Sequence, residues 1–236
     1  DLSHNFYRDN EAQFGNTLAT TDFSGSIDMT NSIFDVYAYD VEDISEYWVN
    51  VEEPDGYDAS NGDGNLEAIT YDVWVSPTGS DDASTTGTQS DPFKTINYAM
   101  SRIYATEDEA VTINLTAGIF SPDSTGEDFP IIMISNVHLI GQGESETTLD
   151  AGGSGTVIIM EGCQNHTILG LTITGGLRTS GSNSADNPYQ YSGGGMYLSL
   201  SSPTLTNITI IGNNADNGGG VYLYYSDPLL TNISII

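Results

Sequence analysis

In the last third of the chain, short runs with an apolar residue at every second position are separated by glycine, Ser-Pro or Asp-Pro turns. Gly193-Gly-Gly-Met-Tyr-Leu-Ser-Leu-Ser-Ser-Pro-Thr-Leu-Thr-Asn-Ile-Thr-Ile aligns without gaps on Gly218-Gly-Gly-Val-Tyr-Leu-Tyr-Tyr-Ser-Asp-Pro-Leu-Leu-Thr-Asn-Ile-Ser-Ile, at a period of 25. Tyr197 returns as Tyr222, Leu205 as Leu230 and Ile210 as Ile235. Period-two alternation predicts two strands per unit, over Met196–Leu198 and Leu205–Ile210, and no unit carries a helical pattern. A strand-only repeat of this length is one coil of a β-solenoid, with coils stacked ~4.8 Å apart. The fold class expected is all-β.

The alternation places Leu205, Ile208 and Ile210 inside, with Asn207 at a corner. Asparagine at one corner of successive coils can hydrogen-bond to its copies above and below, so Asn165, Asn207 and Asn232 are expected to form a ladder, with Asn136 at the same corner of an earlier coil. The first three also read as glycosylation sequons. One helix is expected, over Pro92–Tyr104. Asp91 would cap it, Pro92 suits its first turn, and Phe93, Ile96, Ala99, Met100 and Ile103 share one face. A helix there would cover an open solenoid end, which otherwise exposes apolar cross-section and unpaired strand edges. Lys94 and Arg102 then read as surface charges of the cap.

Two segments carry a resemblance. Val73-Trp-Val-Ser-Pro-Thr-Gly-Ser-Asp-Asp followed by Gly87-Thr-Gln-Ser-Asp-Pro-Phe-Lys-Thr-Ile-Asn-Tyr-Ala-Met resembles the opening of secreted proteins in the pectate-lyase-like superfamily. The later repeats are similar to those of bacterial surface β-helix proteins. Over residues 73–236 the resemblance implies a right-handed parallel β-helix with a capping helix, at the cell surface or outside the cell. It implies no particular activity, because that superfamily mixes lyases, hydrolases, adhesins and structural proteins.

Residues 1–50 also follow the repeat. Asn10-Glu-Ala-Gln-Phe-Gly15 parallels Asn213-Asn-Ala-Asp-Asn-Gly218, and Asn31-Ser-Ile-Phe parallels Asn232-Ile-Ser-Ile. The chain therefore reads as closing coils (1–50), an acidic glycine-rich linker (51–72), then a capping helix and opening coils (73–236). Leu2, Phe6 and Tyr7 at one end and Leu230, Ile233 and Ile235 at the other read as apolar coil edges. Head-to-tail assembly with a second copy or a tandem neighbour would cover both; arbitrary ends of a longer chain would look the same.

Charge narrows the chemistry. The 236 residues carry 33 acidic and 4 basic side chains, a net charge of −29. Nucleic acid and anionic lipid are repelled by such a surface, and no apolar run is long enough to span a membrane. A uronate lyase would need groove-facing cations. Beyond Arg8, Lys94 and Arg102, only Arg178 remains, in the insertion Leu177–Ser192. A hydrolase would need paired carboxylates about 5–9.5 Å apart, and the regular coils carry few. No catalytic residue is assigned.

Asp186, Tyr189 and Tyr191 in the insertion would suit a carbohydrate-binding or polysaccharide-degrading β-helix, which is the alternative reading. Cys163, alone in an apolar stretch, reads as a buried small hydrophobe. His4, His138 and His166 form no metal constellation. Asp58, Asn61, Asp63, Asn65, Glu67 and Asp72 place oxygens in a Gly-rich loop at a spacing that suits calcium, the one cofactor expected, though a solvated acidic turn accounts for the same pattern. The function expected is a non-enzymatic extracellular structural protein, a subunit or repeat of a filament, surface fibre or adhesin.

Overall fold

The computed structural model describes residues 69–82, 84–179 and 192–236, together with strands at 18–21, 36–37, 47–50 and 66–67. They fall into two compact units, residues 1–70 with 100–109, and residues 71–99 with 110–236.

In the first unit, β1 (Leu18–Thr21), β2 (Val36–Tyr37), β3 (Tyr47–Asn50) and β4 (Leu66–Glu67) pair only in parallel. Leu18 aligns with Tyr47 in β1–β3, and Val36 with Leu66 in β2–β4. β4 lies inside the stretch expected to be linker.

The second unit is a parallel β-helix. Its strands are β5 (Val73–Val75), β6 (Val111–Leu115), β7 (Gly118–Phe120), β8 (Ile131–Ile132), β9 (Val137–Ile140), β10 (Thr147–Asp150) and β11 (Ile158–Glu161). They continue as β12 (Thr167–Thr174), β13 (Leu177–Arg178), β14 (Met196–Ser199), β15 (Thr204–Ile210), β16 (Asn214–Ala215), β17 (Val221–Tyr224) and β18 (Leu229–Ile235). One sheet runs β5-β6-β9-β12-β15-β18, and another β8-β11-β14-β17. The register follows one inward column: Val73, Ile113, Leu139, Ile168, Leu205 and Leu230. All of these but Leu230 are at most 1% exposed, so the core is a stack of equivalent side chains.

The helix, α1, spans Ile96–Arg102 and starts later than Asp91 and Pro92 led us to expect. Backbone pairing wins over the cap signal. Phe93 N donates to Trp74 O, and Ser76 N to Phe93 O, which holds Pro92–Phe93 extended against β5. Asp91 instead accepts from the Thr86 amide and hydroxyl. Thr95 is the cap, taking the Tyr98 amide on Oγ1 at 3.2 Å. Glu127, thirty-one residues away, accepts from Ile96 N at 2.6 Å and Asn97 N at 3.0 Å. Asp81 takes the amides of Lys94 and Thr95. The five apolar residues expected on one face are all buried. Arg102 is buried too, only 6% exposed, and so is no surface charge; a long aliphatic stem lets arginine sit in such a place.

Glu127 is fully buried, and burial pushes its carboxyl up to about 8, against the pull of the two helix amides. The folded state therefore holds this proton more tightly than the unfolded chain, whose value is 4.5. Its contribution is fully present below that value and lost as pH rises through about 8, at about 1.4 kcal/mol per pH unit between the two. Denaturant titrations from pH 5 to 8 should show falling stability in the parent and a flatter profile in Glu127→Gln. Equal slopes would show that this carboxyl is ionised in the fold.

Corners use left-handed backbone. Gly162, Leu200 and Tyr225 are equivalent in successive coils, with φ of 66°, 51° and 47°. A left-handed leucine costs ~1–2 kcal/mol over glycine or asparagine, and Leu200 is 63% exposed, so its side chain offsets little of that. Leu200→Asn should raise the unfolding free energy by about 1 kcal/mol in urea titrations; a lower midpoint would contradict the strain.

Candidate functional site

The coil of Val221–Ile235 is built as the others are. β17 and β18 end their sheets. In the coil below, Leu198, Leu205 and Ile210 are at most 1% exposed; their equivalents Leu223, Leu230 and Ile235 are 45%, 50% and 54% exposed. Leu229 and Ile236 add to the same apolar end, and Ile233 is half-buried. Covering the three half-exposed inward side chains is worth on the order of 3 kcal/mol.

The interactions between the last two coils define what a further coil would meet. Met196–Ser199 lies in register on Val221–Tyr224, and Thr204–Ile210 on Leu229–Ile235. Tyr197 and Tyr222 stack with centroids 5.7 Å apart and planes within 7°. Ser201 N donates to Ser226 Oγ, and Asp227 N to Ser202 Oγ. A Cβ on Gly195 would come within 2.5 Å of Gly220 O, so the glycine triplets allow the coils to approach this closely.

The expected asparagine ladder divides into two. Asn232 Nδ2 donates to Asn207 Oδ1 at 3.0 Å, and Asn165 Nδ2 to Asn136 Oδ1 at 3.2 Å. These are different corners. The pairing of Leu169 with Thr206 and of Leu171 with Ile208 sets Asn207 beside Gly170, whose φ is 67°. All four asparagines have φ between 51° and 63°. Both corners require left-handed backbone, which asparagine and glycine supply equally, so the residue type does not distinguish them. The Asn207–Asn232 and Asn165–Asn136 bonds lie on the exposed side, and they satisfy side chains rather than buried amides.

Of the assembly edges read from sequence, Leu230, Ile233 and Ile235 lie on β18, while Leu2, Phe6 and Tyr7 fall outside the described residues. The end also contains Leu223, Tyr225, Leu229 and Ile236, which sequence reasoning passed over. Leu223 was legible as the repeat of Leu198.

Of the calcium positions, Asp58, Asn61, Asp63 and Asn65 fall outside the described residues, and Glu67 ends β4. Asp72 Oδ1 accepts from Thr112 N at 2.8 Å, which ties it to the solenoid. In the insertion, Leu177–Arg178 pairs with Asn214–Ala215; Asp186, Tyr189 and Tyr191 are among the residues not described.

Cys163, His166 and His138 are engaged in the fold. The Cys163 thiol is buried, donates to Met133 O at 2.9 Å, and is pushed up to about 11 by burial. A thiol so placed is a poor nucleophile. His166 Nδ1 meets Val137 O at 3.0 Å, which makes Nδ1 the protonated nitrogen; burial lowers its pKa and keeps the ring neutral. His138 stands in the neighbouring coil and accepts the Thr167 amide on Nδ1.

A family model described as a protein of unknown function, DUF1565, matches residues 78–235. No curated protein matches the chain, and no solved structure does. The family match runs from the turn after β5 through the helix and every later coil to Ile235, well over half the sequence, and on that ground the chain belongs to the DUF1565 family.

Proposed function

We propose that this chain is a non-enzymatic extracellular structural protein, a building block that stacks head to tail through its β-helix coils into a filament or surface fibre. The observation that carries the reading is the coil-on-coil register, in which successive coils pair in parallel through equivalent residues and stack their inward side chains in columns. A coil built this way offers strand edges that template pairing with a further coil. A contact between a coil end and a different surface of the next copy does not close on itself, so it propagates.

Charge supports a linear assembly. At −29 the molecules repel one another. The strands Val221–Tyr224 and Leu229–Ile235 carry no charged side chain, so coil stacking along them meets no repulsion of their own. The extracellular assignment is supported by the acidic composition and by the sequence resemblance of residues 73–236 to secreted β-helix proteins.

Negative-stain electron microscopy and light scattering test the reading. The parent chain is expected to form filaments, more of them as added salt screens the carboxylates. The double variant Leu230→Asp/Ile235→Asp should stay monomeric, whereas Thr206→Asp, on the outer face one coil below, should still assemble. Monodisperse parent monomers at every salt concentration would refute the proposal.

A further inference from the structure

Two successive coils carry a tyrosine at the same outward position of one sheet. Tyr197 of β14 stands in register beside Tyr222 of β17, and the same column holds Ile132 and Ile159 in the coils below. The two rings stack with centroids 5.7 Å apart and planes 7° from parallel. The strands beneath them fix this arrangement, because parallel pairing sets in-register residues on strands ~4.8 Å apart. Like side chains leaving equivalent backbone in one direction bring equivalent ring atoms together. The ortho carbon beside each hydroxyl therefore lies close to its counterpart in the neighbouring coil.

Tyr197 has a coil on either side, with Ile159 below and Tyr222 above, and is still only half-buried. Solvent therefore reaches the pair at Tyr197 whatever follows Tyr222. Burial above all, and then the charge of Glu161 in the coil below, push the Tyr197 phenol up, so it is protonated at neutral pH; its hydroxyl also hydrogen-bonds Ser199. One-electron oxidation of this ring must release that proton, and a carboxylate nearby favours its departure. Tyr224 and Tyr225 also touch, at 4.5 Å, but they meet edge to face at 79°, which sets no two ortho edges side by side.

We propose that Tyr197 and Tyr222 form a modification site, at which an oxidative cross-link between their ortho carbons joins two successive coils. The co-reactant is a peroxidase acting with hydrogen peroxide as a one-electron oxidant. Each phenol gives up one electron and its hydroxyl proton, and the two phenoxyl radicals form one carbon–carbon bond. Each joined carbon then loses its hydrogen as a proton, which restores the aromatic ring, and each oxygen regains one. The protein loses two hydrogens in all, and one hydrogen peroxide is reduced to two waters. The bond closes a loop of 25 residues in the unfolded chain, a constraint of the kind a disulfide imposes. Cys163 is the one cysteine of the chain, so no intrachain disulfide can do this instead. The staple acts within one molecule and does not rest on head-to-tail assembly.

Oxidation of separate molecules tests it. Dilute protein at low salt, where a charge of −29 keeps the molecules apart, is treated with peroxidase and hydrogen peroxide. The monomer band from a denaturing gel should carry dityrosine fluorescence and a mass lower by two hydrogens. Cleavage at Asp216, which lies between the two tyrosines, should leave their peptides joined. Phenylalanine keeps the stacked ring and removes only the hydroxyl. Tyr197→Phe and Tyr222→Phe should therefore fold, and each should cut the dityrosine yield of the monomer at least tenfold, while Tyr225→Phe leaves it unchanged. Parent monomer without dityrosine, or a yield that survives either Tyr197→Phe or Tyr222→Phe, would overturn the proposal.

Discussion

A strand of this solenoid finds no ladder partner within its own coil. Every strand of the second unit takes its ladder from the equivalent strand one coil away, from Val73 beside Ile113 to Leu205 beside Leu230. Its inward side chains stack on their counterparts in the same column. Stability therefore belongs to the interface between coils, and a terminal coil is half stabilised by construction. The local features follow from that spacing. Glycines at 194 and 195 let backbones approach, left-handed residues turn the corners, and additions to the coil are tolerated only between strands. The helix intervenes between Val75 and Val111, and the 177–192 insertion between Thr174 and Met196, without disturbing the register on either side.

Three buried groups among the described residues, Glu127, Cys163 and His166, are engaged by this architecture. Glu127 closes the N-terminal amides of the helix from a distant turn, Cys163 gives its proton to a backbone carbonyl, and His166 bonds the chain of the coil below. Their pKa values are moved by burial first, with hydrogen bonds second. Each marks a place where a coil packs closely.

The fold was legible where equivalent coils repeat without gaps. Tyr197 and Tyr222, Leu205 and Leu230, and Ile210 and Ile235 could be set in register from the sequence, and they stand so in the structure. Legibility failed where one residue type serves two geometries. Asn165 and Asn207 look alike because both accept left-handed backbone, yet they turn different corners, and the true counterpart of Asn207 is Gly170. The start of the helix was misread because Asp91-Pro92 is a sound capping signal locally, while the pairing of Phe93 with β5 is non-local and prevails. Glu127 was invisible as a cap for the same reason, lying thirty-one residues from Ile96. At the candidate site, alternation revealed the inward positions of β18, and the exposure of Leu223 and Ile236 needed the three-dimensional end of the stack.

Hydrogen exchange of the β17 and β18 amides as a function of protein concentration measures the central claim at the place where it is made. If the terminal coil is an assembly face, these amides exchange quickly in dilute solution. Their protection should then rise with concentration toward that of β14 and β15, whose protection stays constant. Exchange in β17 and β18 that is independent of concentration, up to the highest attainable, would contradict the account.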